Sequence, residues 1–177
     1  MTIKEIAEQV AKSLGVGFEE KDDRFYIVLE GINKRIFVHQ KYGDTKRVIF
    51  SGSFDNGLSQ FLPYGDNREK TDISVSIEKS PESMAKSIQS RLLPPYFRMH
   101  EICSKRKKEY DTQEEEKQAI LKSLSEYFPD PLIRNNELMW HGGRTQGSIQ
   151  ITYHSPDDIS IKLSCNLKMI RKILETI

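Results

Sequence analysis

The spacing of apolar residues changes along this chain, and only a fold that combines helices with sheet accommodates both spacings. Over residues 2–14 apolar residues recur at intervals of three and four, which predicts an amphipathic helix that Gly15 ends. Farther along, Ile73, Val75 and Ile77 alternate with polar residues, the pattern of a strand with one buried face. A helical period followed by a strand period in one short chain indicates the α+β class.

The same criteria place the remaining elements. Strands are predicted at 25–29, 36–38, 48–50, 138–141, 149–153 and 159–163. Helices are predicted from Ser80 to the Pro94-Pro95 pair, which should end or kink that helix, and then at 96–110, 120–128 and 167–177. The resulting order, αβββ(β)α followed by αβββα, predicts antiparallel sheet with helices packed on one face.

The order of elements also suggests two halves. Residues 1–110 form an N-terminal α+β half, and residues 111–177 form a C-terminal αβββα half. A polar run at 104–118, basic and then acidic, is the most plausible boundary between them. A chain of 177 residues suffices for one domain or two small ones, and we expect the halves to pack as one compact unit.

Charge and cysteine content restrict the function classes. Lys and Arg together number 27 against 26 Asp and Glu, a net charge of +1. That balance argues against a protein that coats nucleic acid and against one that mimics it. Two cysteines, Cys103 and Cys165, do not make a disulfide framework, and the chain opens on a helical pattern with acidic residues rather than on an export signal. We therefore expect a soluble cytoplasmic protein without a membrane span.

Motifs for catalysis or metal binding are absent from the sequence. The four histidines stand far apart without ligand spacing, and there is no G-x-S-x-G motif. The Gly15-Val16-Gly17 run follows a helix rather than a strand, which is the wrong context for a phosphate loop. We predict no enzyme, no cofactor and no metal. An enzyme whose site converges from distant residues stays open, and a pocket that joins His141 or His154 to a carboxylate would favour it.

Two loops are candidate partner-binding surfaces. The loop over residues 52–70 carries Phe54, Phe61 and Tyr64 among turn-forming residues, so these rings either cover the core or meet a protein partner. The second loop joins Trp140 to Arg144 through two glycines. Trp140 and Arg144 would there stack on a ring and hold an anion, while a hairpin with Trp140 in the core is the alternative.

A basic cluster supports a second hypothesis, nucleic-acid binding by a helix. The candidate residues fall within 91–108 and are Arg91, Arg98, Lys105, Arg106, Lys107 and Lys108. Binding through them would weaken steeply with added salt. A solvated face that pairs with the following acidic run is the alternative, because these residues do not all share one helical face.

One segment resembles proteins from mobile genetic elements. A strand, a helix that opens Ser80-Pro81-Glu82 and an Arg91-Leu92-Leu93-Pro94 ending together resemble a strand–helix segment of uncharacterised proteins encoded by phages and other mobile elements. The resemblance covers residues 73–96 and implies an origin but no catalytic residue. It leads to the hypothesis of a non-enzymatic protein that binds a host or phage macromolecule, such as an anti-defence inhibitor of the anti-CRISPR kind.

Overall fold

The structure of the chain, a computed structural model, describes residues 1–30, 34–55, 57–65, 68–128, 130–142, 145–155 and 158–165. The helix predicted at 167–177 lies outside these residues. By its internal contacts the chain divides into two compact units, Met1–Lys107, here called unit 1, and Lys108–Ile177, here called unit 2.

Unit 1 is an antiparallel meander with helices packed on one face, which confirms the α+β prediction. Its five strands lie in the order β1-β2-β3-β4-β5, so β1 and β5 are the sheet edges. The elements are α1 (Ile3–Leu14), β1 (Gly17–Lys21), β2 (Arg24–Glu30), β3 (Lys34–Lys41), β4 (Asp44–Ser53), a 3₁₀ turn (Leu58–Phe61), β5 (Asp72–Ser76), α2 (Pro81–Ser87), a π-helical turn (Ile88–Leu92) and the start of α3 (Leu93–Ser125).

Helix α1 begins and ends as its sequence predicts. The Thr2 hydroxyl accepts from the Glu5 backbone N–H at 3.2 Å, and the Thr2 N–H donates to the Glu5 carboxylate at 2.8 Å, a reciprocal capping box. Gly15 closes the helix with φ at +72°, a left-handed conformation that glycine adopts without cost from a Cβ. The buried face of α1 consists of Ile6, Ala7, Val10 and Ala11.

The prolines at 94 and 95 do not end the helical conformation, so that part of the prediction is wrong. Before them the Leu93 N–H donates to the Ile88 carbonyl, five residues back, in a π-helical turn. The backbone hydrogen bonds of the helix have therefore already changed their spacing before residue 94. The two prolines, which lack an N–H, follow at the point where a regular helix would require them to donate. The predicted helices at 96–110 and 120–128 then join into α3, because the polar run between them contains no glycine or proline and is rich in good helix formers.

The core of unit 1 lies between the sheet and its helices. The buried side chains that build it are Ile27, Ile36, Val38, Val48, Phe50, Ile73 and Val75 from the strands, with Ile6, Val10, Met84, Ile88, Leu92 and Tyr96 from the helical segments. At Gly52 the sheet and α3 approach so closely that a Cβ would lie 2.2 Å from the Tyr96 ring. Glycine is required there because any larger side chain would displace the tyrosine.

The Tyr96 hydroxyl joins the helix to the ends of two strands. It donates to the Ser53 carbonyl at 2.8 Å and accepts from the Arg35 N–H at 3.2 Å, and Arg35 and Ser53 are cross-strand partners on β3 and β4. The Arg35 guanidinium in turn pairs with Glu19 at 3.2 Å and Asp55 at 3.5 Å. These contacts fix the start of the loop that follows β4.

Unit 2 contains the rest of α3 and a four-stranded antiparallel sheet. The strands are β6 (Pro131–Arg134), β7 (Glu137–Gly142), β8 (Thr145–Ser155) and β9 (Asp158–Cys165), in that order across the sheet. Strand β6 was not predicted. It begins with Pro131 at a sheet edge, a position that tolerates a missing N–H, and joins β7 through Asn135 and Asn136, both with positive φ. The buried cluster consists of Leu121, Phe128, Leu138, Trp140, Ile149 and Ile151.

Candidate functional site

The loop over residues 54–70 is fastened to helix α3 at two points. Arg106 donates through Nη1 to the Phe61 carbonyl at 3.2 Å. Near the other end of the loop, the Arg98 guanidinium forms a two-pronged pair with the Glu69 carboxylate, with 2.8 Å from Nε to Oε1 and a second bond from Nη2 to Oε2. This pair lowers the pKa of Glu69 below its usual range, chiefly through the hydrogen bonds from Arg98.

Phe54 lies at the inner side of this loop. Its ring packs edge-on against the Tyr96 ring at 5.5 Å and stacks near His100 at 6.3 Å between centroids. His100 is itself buried, and its Nδ1 lies 3.4 Å from the Ser104 hydroxyl. Phe54 is therefore packed against the core of unit 1, as the core interpretation of this ring anticipates.

Tyr64 is the aromatic residue that the loop presents to solvent, with 89% of its surface exposed. It follows Pro63, which is buried, and precedes Gly65, which has φ at +63°. Phe61 is half-buried, and its carbonyl is the one that Arg106 holds. Of the three predicted aromatic residues, Phe54 thus packs against the core, Phe61 is half-buried and Tyr64 is exposed.

Trp140 lies in the core of unit 2 rather than on its surface. It is 0% exposed, and its ring stacks on Phe128 with centroids 4.2 Å apart. Among the described residues its indole N–H has no hydrogen-bond partner. The hairpin alternative describes Trp140 correctly, because a fully covered side chain presents nothing to a partner. Arg144 lies outside the described residues.

The basic residues predicted for nucleic acid do not form one free surface. Arg98 and Arg106 hold the loop, as described above, while Lys105, Lys107 and Lys108 follow along α3. Arg91 stands apart, exposed on the π-helical turn. Because Arg98 and Arg106 of helix α3 already bond within the chain, fewer cations of this helix are available to bind phosphates.

Arg91 instead lines a cleft that the sequence analysis did not anticipate. The cleft has a volume of about 310 Å³ and is lined by Arg47, Lys70, Asp72, Ile73, Ser74 and Arg91. The alternation of Val48 and Phe50 with Arg47 does predict that Arg47 faces away from the core, as Ser74 does on β5. This alternation is the sequence feature from which the orientation of Arg47 and Ser74 could have been predicted. It does not indicate that both residues line the same cleft as Arg91.

Within the described part of the chain, no group of three or more histidine, cysteine or acidic side chains is placed to hold a metal ion. Cys103 is a buried free thiol, and burial raises its pKa, which keeps it protonated at neutral pH. His141 is exposed on β7, and the His154 side chain lies outside the described side chains.

Comparisons with known proteins return no relative. No family model, no curated protein and no solved structure matches this chain. Over the described residues, none of the helices combines the length and apolarity that a membrane span requires.

Proposed function

We propose that this chain is a non-enzymatic binding protein, and that the loop over residues 54–70 on helix α3 is the surface that contacts a protein partner. The observation that carries the proposal is Tyr64, which is almost fully exposed on a loop that Arg98 and Arg106 hold in place. Tyrosine is enriched among residues that dominate interface energies. A pre-fastened loop loses less conformational entropy on binding than a free one.

Anti-defence inhibitors, including anti-CRISPR proteins, are one class of such binders, and the origin suggested by residues 73–96 favours that class. Nucleic-acid binding along 91–108 is the less favoured function, because Arg98 and Arg106 already bond within unit 1. An enzyme with a convergent site is less favoured still, since the cluster around His100 is covered by Phe54 and Tyr96.

The test is capture of partners from a host lysate by tagged wild-type protein and by Tyr64→Ala, with and without nuclease. Tyr42→Ala is the matched control, because Tyr42 is an equally exposed tyrosine on the β3–β4 turn. We expect one protein to be captured by the wild type and by Tyr42→Ala despite nuclease, and to be reduced about tenfold or more by Tyr64→Ala, the loss typical of an interface hot spot. Equal capture by Tyr64→Ala would contradict the proposal, as would loss of all partners on nuclease treatment.

A further inference from the structure

The cleft beside strand β5 brings three cations from three separate elements together. Arg47 lies on β4, Lys70 precedes β5 and Arg91 lies on the π-helical turn. Asp72 is the one carboxylate of the lining, and its Oδ2 lies 3.8 Å from the Lys70 ammonium. Three positive side chains against one negative one leave the lining with an excess of positive charge, which favours an anion.

Arg47 is held at the cleft by two hydrogen bonds to one residue. Its Nε donates to the Ser74 hydroxyl at 2.8 Å, and its Nη2 donates to the Ser74 carbonyl at 2.9 Å. Neither acceptor is charged, so the guanidinium keeps its full positive charge, and its Nη1 is not used in either bond. A planar guanidinium fixed in this way is prepared to bind an oxyanion without further loss of side-chain entropy.

The backbone of β5 also favours an anion at this cleft. Gly52 donates to the Thr71 carbonyl and Ile77 donates to the Lys46 carbonyl, so the paired residues of β5 are 71, 73, 75 and 77 in the alternation of an antiparallel ladder. The intervening residues, Ser74 among them, point their N–H and C=O groups to the free edge of the sheet. Arg47 takes the Ser74 carbonyl, and the Ser74 N–H points to the same edge as a further donor.

We infer that this cleft binds a phosphate group, held by Arg47, Arg91 and Lys70 with the Ser74 N–H as an additional donor. The chemistry is that of a phosphate oxyanion, which two guanidinium groups and an ammonium recognise more strongly than chloride. Free phosphate, a nucleotide and the backbone of a single-stranded nucleic acid all supply such a group. The cleft shares only Lys70 with the loop over residues 54–70, and Tyr64 is not part of its lining, so it is a second site, distinct from the proposed protein-binding surface.

The test is an amide NMR titration of the whole chain with sodium phosphate, with ionic strength held constant by sodium chloride. Saturable shifts at Asp72 and Ser74 are expected with phosphate and not with chloride alone. Arg91→Glu should weaken the fitted affinity about tenfold or more, because it removes a charge-assisted bond and adds a repulsion. Lys86→Glu is the matched control, since Lys86 is an exposed cation on neighbouring α2 and its reversal changes the net charge equally.

Ser74→Ala is a second, more conservative variant. It removes the hydroxyl that accepts one of the two hydrogen bonds positioning Arg47, and it leaves all three cations in the cleft. It should weaken phosphate binding while the spectrum of the core stays unchanged. Parallel titrations with adenosine monophosphate and with a ten-residue oligothymidylate identify the source, through whichever binds most tightly at the same amides. Shifts that do not saturate, or equal affinities for Arg91→Glu and Lys86→Glu, would overturn the inference.

Discussion

Tyr96 is a single residue on which the sheet and helix α3 of unit 1 both depend. Its ring occupies the space that Gly52 leaves open, and its hydroxyl bridges the backbones of Arg35 and Ser53. Burial raises the pKa of this phenol to about 12, an effect increased by the Asp55 carboxylate and opposed by the Arg35 N–H and guanidinium. The neutral phenol is therefore the form that the fold selects.

Tyr96→Phe should change how stability depends on alkaline pH. The folded-state pKa is raised above the unfolded value of about 10, so the stabilisation is fully present below pH 10 and is lost as pH rises through 12. From pH 10 to 12 the free energy of unfolding of the wild type should fall by about 2–3 kcal/mol more than that of Tyr96→Phe.

Urea unfolding of both proteins, followed at several pH values by far-ultraviolet circular dichroism, measures this difference. At pH 7 the variant should be less stable by about 1–3 kcal/mol, because the Arg35 N–H and the Ser53 carbonyl lose their partner. Parallel alkaline slopes for the two proteins would show that Tyr96 titrates as an ordinary exposed tyrosine.

At the scale of elements, the loop over residues 54–70 derives its order from helix α3. Its two fastenings, Arg98 to Glu69 and Arg106 to the Phe61 carbonyl, come from side chains two helical turns apart. An isolated surface ion pair contributes little, but these two act on the same short loop, and between them they restrain the segment that carries Tyr64.

Glu69→Gln should loosen the loop at neutral pH, and acid should loosen it in the wild type. Because Arg98 lowers the pKa of Glu69, the stabilisation is present above the unfolded pKa of about 4.3 and is lost as pH falls through the folded pKa. Amide hydrogen exchange of residues 68–70 at pH 7 should accelerate in Glu69→Gln, by less than about tenfold. Glu78→Gln serves as the control, since Glu78 is also an exposed glutamate. Equal exchange in the two variants would show that the Arg98 pair does not restrain the loop.

Sequence alone identified most elements but not the cleft, for physical reasons. Alternation of apolar with polar residues located β2 to β5, β8 and β9, and residues 138–141 indicated β7, while β1 and β6 are short edge strands whose sequences lack a strong pattern. The helix from Ser80 onward is predicted to end or kink at two prolines, but the helical conformation continues through a π-helical turn, which local sequence does not reveal. Cations from Arg47 and Arg91 meet only once the strands and helices are packed.

At the scale of the whole molecule, each of the two units has a buried cluster of its own. The single tryptophan of the chain belongs to the cluster of unit 2, whereas unit 1 contains tyrosine and phenylalanine but no tryptophan. Tryptophan fluorescence is consequently a probe of unit 2.

Trp140 fluorescence should be blue-shifted and weakly quenched by iodide in the folded protein, because the ring is 0% exposed and stacked on Phe128. Denaturant should shift the emission to the red and raise the quenching constant several-fold. The double variant Trp140→Phe/Tyr127→Trp gives the exposed comparison, since Tyr127 is a solvent-exposed residue of the same unit. Quenching of wild-type Trp140 as strong as that of the comparison would place the ring at the surface.

The hydrogen bonds of the Tyr96 hydroxyl to the backbones of Arg35 and Ser53 can form only after the strands have been synthesised. Tyr96 lies 21 residues after Val75, the last strand residue of the unit 1 core. A ribosome that adds about 5–20 residues per second takes about one to four seconds over that interval. Over that interval the complete meander has already been synthesised, Met84, Ile88 and Leu92 are added in turn, and the tyrosine comes last. Until those residues are added, α1 is the only helix of unit 1 that can cover the apolar face of the nascent sheet, and that face is exposed to contacts with other chains.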